Sequence, residues 1–106
     1  MKSAAQRELR LPPAPRGQTV DLLYRTLGDL LVPVDVVRER YFHKLNPDNF
    51  TRALATGRVS LPITTLDRSV KQTRFVDIRH LAILIDAQAD AAAEKLANHQ
   101  AEPEED

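Results

Sequence analysis

From Val34 to Val76 the apolar positions follow one period, then another. Val34, Val37 and Tyr41 recur at i, i+3 and i+7 with Arg38, Glu39 and Arg40 between them, which predicts a helix of about two turns. His43, Lys44 and Leu45 make a short turn. In Leu45-Asn46-Pro47-Asp48-Asn49-Phe50, Asn46 can cap backbone N–H groups, Pro47 suits the first helical position and Leu45 can staple onto Phe50. A second helix therefore starts at Asn46 and stops at Gly57, which tolerates the left-handed closing conformation. Its apolar face is Phe50, Ala53 and Leu54. Beyond it Val59, Leu61 and Ile63 alternate with Ser60, Pro62 and Thr64, the period of a strand, and Pro62 implies an edge strand. A second strand is expected at Thr73 to Val76, with a loop from Leu66 to Gln72 between the two.

The flanks read as scaffold. Thr19 can cap a helix in which Val20, Leu23, Leu27 and Leu30 share one face, with Asp21, Arg25 and Asp29 on the surface and Gly28 weakening it slightly. Leu31-Val32-Pro33 is expected to end that helix and turn the chain. Asp77 reads as the cap of a last helix with the stripe Ile78, Leu81, Ala82, Ile85, Ala89, Ala92 and Leu96. Its first half closes the core. Its second half, Ala87 to Ala97, projects past the domain beside Asp86, Asp90 and Glu94 at i+4 intervals, a like-charge stack that calls for compensation. The expected fold is mostly α with a small β-hairpin: a winged helix-turn-helix of MerR/excisionase-like layout, with a disordered Pro-rich arm at 1–18, the domain at 19–98 and a disordered acidic tail at 99–106.

Composition changes this picture in two places. The chain has 106 residues and no cysteine, so it holds one modest core without disulfides or thiolate metal sites. No apolar run approaches the roughly 18 residues of a membrane span, and a cytoplasmic, nucleoid-associated protein is expected. Formal net charge is zero, yet its distribution is uneven. Arg52 to Arg79 carries six cations against two acids, and Asp86 to Asp106 seven acids against one cation. A local basic surface is what phosphates respond to.

The polar face of the second helix carries Asp48, Thr51, Arg52 and Ala55, flanked by Asn49 and Thr56. Either it is an ordinary solvated face or it enters a major groove, where an arginine fork reads guanine, an amide adenine, and a methyl group thymine. On the second reading Asn49, Thr51, Arg52 and Thr56 contact bases, while Lys44, Arg58, Arg68, Lys71, Gln72 and Arg74 hold backbone or minor groove. The arm, with Lys2, Arg7, Arg10 and Arg16 against Glu8, either tracks phosphates or is a leader without a role. The acidic stripe Asp86, Asp90 and Glu94 either stays solvated or meets Arg38 and Arg40 of a neighbouring protomer, in head-to-tail or dimeric self-association. His43, His80 and His99 stand apart from one another, Ser3, Ser60 and Ser69 lack a nucleophile motif, and Gly17, Gly28 and Gly57 form no phosphate loop. Neither an enzyme nor a cofactor is expected.

Val32-Pro33 with Val37, Tyr41-Phe42, Leu54-Ala55 with Gly57, Ser60-Leu61-Pro62-Ile63, Ser69-Val70-Lys71, and Val76-Asp77-Ile78 with Leu81-Ala82 and Ile85-Asp86 occur in a serial order that resembles the pyocin activator (PrtN-type) family. The resemblance runs from about Thr19 to Ala93. It implies a small bacterial or phage-derived protein that binds double-stranded DNA and activates transcription from short operator boxes, with RNA polymerase as a further partner. In layout the chain also looks like the excisionases, or recombination directionality factors, which coat adjacent sites cooperatively, bend DNA and work beside an integrase. The long basic arm and the acidic tail depart from the pyocin activators. A protein-interaction adaptor that uses this fold without DNA is the third expectation.

Overall fold

A computed structural model describes residues 14–69 and 72–101. The expectations for the arm before residue 14, for Lys71 and for the tail after residue 101 fall outside them. Its elements are α1 (Gly17–Leu27), β1 (Leu31–Pro33), α2 (Val34–Tyr41), α3 (Pro47–Ala55), β2 (Phe75–Asp77) and α4 (Ile78–Ala101). Among the described residues four helices and one small antiparallel sheet make a mostly α, winged-helix-like fold. α1 packs on α4, and β1 and β2 join the α2–α3 unit to that pair. Leu23, Val32, Val37, Leu61, Val76, Ile78, Leu81 and Ala82 form one buried cluster, against which Leu54 of α3 packs.

α1 begins two residues before the expected cap. Arg16 occupies the N-cap position and makes no side-chain cap, because the Thr19 hydroxyl instead donates to Asp86 Oδ1 at 2.7 Å. Gly28 does not weaken α1. At φ +86° it takes the left-handed conformation just past the helix end, and its N–H reaches Tyr24 O at 2.8 Å. Leu30 and Tyr41, both expected in apolar stripes, are exposed. Phe42 does what was expected of Tyr41: half-buried at the end of α2, its ring packs on Phe50 with centroids 4.9 Å apart.

The strand pairing also differs from expectation. Leu31-Val32-Pro33 is not a turn but the ladder partner of β2, in the register Leu31 to Asp77, Val32 to Val76 and Pro33 to Phe75. The expected strand over Val59 to Ile63 keeps its alternating burial, with Leu61 buried and Ser60 and Pro62 exposed, but forms no ladder. Its donors are engaged elsewhere: Val59 N–H reaches Ala53 O at 3.1 Å, Leu61 N–H reaches Val59 O at 3.0 Å, and Pro62 has no N–H. The wing closes at one bridge, where Thr64 and Phe75 exchange N–H···O bonds of 2.8 and 2.9 Å. β2 thus lies between β1 and the outgoing arm of the wing.

α4 starts as expected. Asp77 Oδ1 accepts the Arg79 N–H at 2.8 Å, and Ile78, Leu81 and Ala82 are buried. Residues 87–99 are all exposed, so this half of the helix leaves the domain behind.

Candidate nucleic-acid interface

The exposed face of α3 is set by the residues that fix its ends and bury its back. Asn46 Oδ1 accepts the Asn49 N–H at 2.8 Å, and Pro47 opens the first turn, where its missing N–H costs nothing. Phe50 and Ala53 are buried and Leu54 is half-buried, which locks the rotation of the helix about its axis. At the far end Gly57, at φ +80°, lets the chain reverse. The turn between α2 and α3 is tied down by Arg38, whose Nη1 donates to the Leu45 carbonyl at 3.1 Å.

Asp48, Asn49, Thr51, Arg52, Ala55 and Thr56 are accordingly all exposed. The structure divides the expected base readers between two flanks. Asn49, Arg52 and Thr56 share a shallow hollow with Arg58, whereas Thr51 lies on the other side, beside Gln72 and Arg74 of the returning wing arm. Thr56 donates its hydroxyl to Ala53 O at 3.3 Å, leaving the oxygen as an acceptor. Lys44 is exposed in the turn, and Arg68 is exposed in the wing loop next to Asp67, whose carboxylate accepts the Ser69 N–H at 3.2 Å. Gln72, expected at the surface, is turned inward with Oε1 buried and unpartnered.

Ion pairing sorts the cations into two groups. Arg16 reaches Asp90 at 2.7 Å and Asp86 at 3.5 Å, Arg25 pairs with Asp21 at 3.2 Å, Arg38 lies near Asp35 and Glu39, and Arg79 grips Asp77 at 2.6 Å. Among the described residues Arg40, Lys44, Arg52, Arg58, Arg68, Arg74 and Lys95 have no such partner and no side-chain hydrogen bond. Five of these seven lie between the α2–α3 turn and the end of the wing; Arg40 on α2 and Lys95 on α4 are the other two.

Three of the expected self-association residues, one basic and two acidic, are engaged within the chain. Arg38 is mostly buried against the turn, and Asp86 and Asp90 take Arg16. The Arg16 backbone N–H and the Thr19 hydroxyl hold the Asp86 carboxyl below its ordinary pKa. Hydrogen bonds from the Arg79 side chain do the same to Asp77, against the opposing effect of burial. Sequence reasoning missed the Arg16 and Arg79 clasps. The acidic stack on α4 was the signal that a cation had to be near, but nothing local names Arg16, which is 74 positions from Asp90. Arg40 and Glu94 have no ion-pair partner among the described residues.

Among the described residues no group of three or more histidine, cysteine or carboxylate side chains could hold a metal, and no helix is long and apolar enough to cross a membrane.

Among the described residues four helices, a small sheet and an exposed, end-capped second helix of a helix-turn-helix define a winged-helix-like protein. The family model of the pyocin activator protein PrtN matches residues 19–92, more than two thirds of the chain, and the chain belongs to that family. Its members are regulators of transcription in a phage-related context rather than enzymes. Comparison with curated proteins and with solved structures finds no match.

Proposed function

We propose that this protein is a sequence-specific double-stranded DNA-binding activator of transcription, with α3 in the major groove and the wing on the backbone or minor groove. The observation that carries this reading is the partition of the cations: Arg16, Arg25 and Arg79 on the scaffold are ion-paired, whereas all five described cations from the α2–α3 turn to the end of the wing are free for phosphates and bases. Arg52, Asn49 and Thr56 read bases on one flank of α3. Lys44, Arg58, Arg68, Lys71 and Arg74 hold the backbone, and RNA polymerase is the partner that an activator must then engage.

The excisionase alternative drew on the acidic stripe as a docking face for a neighbouring protomer. With Arg16 covering Asp86 and Asp90 in the same chain, that stripe offers a neighbour little unpaired charge. One discrete protected box is therefore the expected footprint on the DNA flanking this protein's gene, titrated at two salt concentrations. Cooperative filling of an array with hypersensitive bands would favour the excisionase role, and no protection at either salt would favour a protein adaptor.

The division of labour has its own test. Arg52→Ala should cost about 1–3 kcal/mol at the specific box and less on random DNA. Arg68→Ala should weaken both alike and lower the salt slope by about one. Equal losses from the two substitutions on both DNAs would refute the assignment.

A further inference from the structure

A second hollow lies between α2, the start of α3 and the returning arm of the wing, lined by Asp35, Arg38, Thr51, Gln72 and Arg74 among others. Among the described residues three buried side-chain polar atoms lack a hydrogen-bond partner, and two of them, Arg38 Nε and Gln72 Oε1, belong to residues of this lining. Leaving such atoms unpaired is costly, so two around one hollow point to a polar ligand that completes them.

The chemistry of the lining names the ligand. Arg38 Nε lies 3.7 Å from the Asp35 carboxylate and Nη2 lies 3.6 Å from that of Glu39, both beyond hydrogen-bond reach. The Asp35 side chain is 75% exposed and can turn into solvent. The Gln72 amide presents an N–H group in place of its oxygen after a half-turn about its last bond. Arg74 is exposed and without a partner among the described residues, and the Thr51 hydroxyl stands on the facing wall. Donors from three separate elements, with the Asp35 and Glu39 carboxylates both exposed and only loosely held by Arg38, suit a tetrahedral oxyanion.

We propose that this hollow seats one phosphate of the DNA backbone, gripped by Arg38, Gln72 and Arg74. The proposal rests on the DNA-binding reading above and reassigns Thr51 from the bases to the backbone. It gives Arg38 a linking role. Its Nη1 already holds the Leu45 carbonyl, so a phosphate on Nε couples the backbone contact to the turn that aims α3. Phosphate contacts of this kind set the register of a protein on the duplex.

The test is ethylation interference on the protected duplex with the wild type, Arg74→Gln and Gln72→Leu; Arg38 is left intact because it also holds the turn. Both variants should weaken specific and random DNA alike, lower the salt slope by about one, and lose the interference at one phosphate per bound protomer. Gln72→Leu should keep or raise the thermal midpoint, because it removes an unpartnered buried polar atom. An unaltered interference pattern in both variants would overturn the proposal. So would a lower midpoint for Gln72→Leu with unchanged DNA affinity, which would make Gln72 purely structural. Titration of the free protein with inorganic phosphate, followed by NMR, separates the two phosphate sources. Saturable shifts at Arg38, Gln72 and Arg74 alongside an unaltered interference pattern would assign the hollow to free phosphate and overturn the backbone assignment. A wild type that leaves no footprint would remove the DNA-binding reading itself, whereas a footprint that survives both variants removes only the seat.

Discussion

Asp77 joins β2 to α4, and replacing it separates two effects on one carboxylate. Its residue is 4% exposed, Oδ1 accepts the Arg79 N–H at 2.8 Å, and the Arg79 guanidinium closes on both oxygens, the nearest contact at 2.6 Å. Loss of an Asp cap to alanine costs about 1 kcal/mol, within a range of roughly 0.5–2. The Arg79 side chain is 61% exposed, so solvent screens the ion pair and it adds little to the cap. Asp77→Ala should therefore cost about 1 kcal/mol and lower the thermal midpoint by about 4–8 °C for a domain of this size. Asp77→Asn keeps an oxygen for the Arg79 N–H and should cost less than half as much. Urea titration of both variants beside Arg79→Ala measures the division. An Asp77→Asn loss equal to that of Asp77→Ala would refute the cap as the larger effect, as would an unchanged midpoint in Asp77→Ala. The pH dependence has a definite sign. Arg79 depresses the folded-state pKa of Asp77 below its ordinary value of 3.8. The stabilisation is therefore complete above that value and is lost as the pH falls through the lower folded one. The gap between wild type and Asp77→Asn should close in that acid window and stay constant above it.

Two further substitutions probe the α3 mounting and the α1–α4 clasp. Phe50→Ala removes a fully buried ring in contact with Phe42 and should cost about 3–5 kcal/mol by urea titration, a large share of the roughly 5–15 kcal/mol available to a domain of this size. A loss under about 1 kcal/mol would mean that α3 is not anchored through Phe50. The Asp86 carboxyl, lowered first by the Arg16 N–H and then by the Thr19 hydroxyl, should titrate closer to its ordinary value in Thr19→Val, followed by NMR. Because the folded pKa is depressed, the clasp is complete above the ordinary value and loosens as the pH falls through the lower one, and protection of the first α1 amides against exchange should fall with it. An Asp86 pKa unmoved in Thr19→Val would refute the hydroxyl's part.

What was legible in the sequence was local, and what was not was long-range. The Asn46 cap, the Pro47 opening, the Gly57 close and the Asp77 cap each depend on a few consecutive residues, and the structure has all four. The strand pairing could not be read that way. β1 is three residues long, ends in proline and resembles a helix exit; it becomes a strand because Phe75–Asp77, over 40 positions away, has backbone groups to pair. Val59 to Ile63 shows the converse. Its alternation records one buried side, and a side chain can be buried on alternate positions without a ladder when the backbone donors are engaged in the turn after α3. The same distinction governs the interface. Composition locates the basic stretch, but not which of its cations are free, because pairing is decided by the fold: Arg79 belongs to the stretch by sequence and is bound to Asp77, and Arg16 belongs to the arm and is bound to α4. Removing the paired arginines from the count moves the free positive charge toward Lys44, Arg52, Arg58, Arg68 and Arg74 and away from the long helix. A surface that holds Asp77, Asp86 and Asp90 in internal pairs and leaves most of its free cations beside one exposed helix favours a polyanion approaching from that side, and the salt slope of binding measures how many of those cations take part.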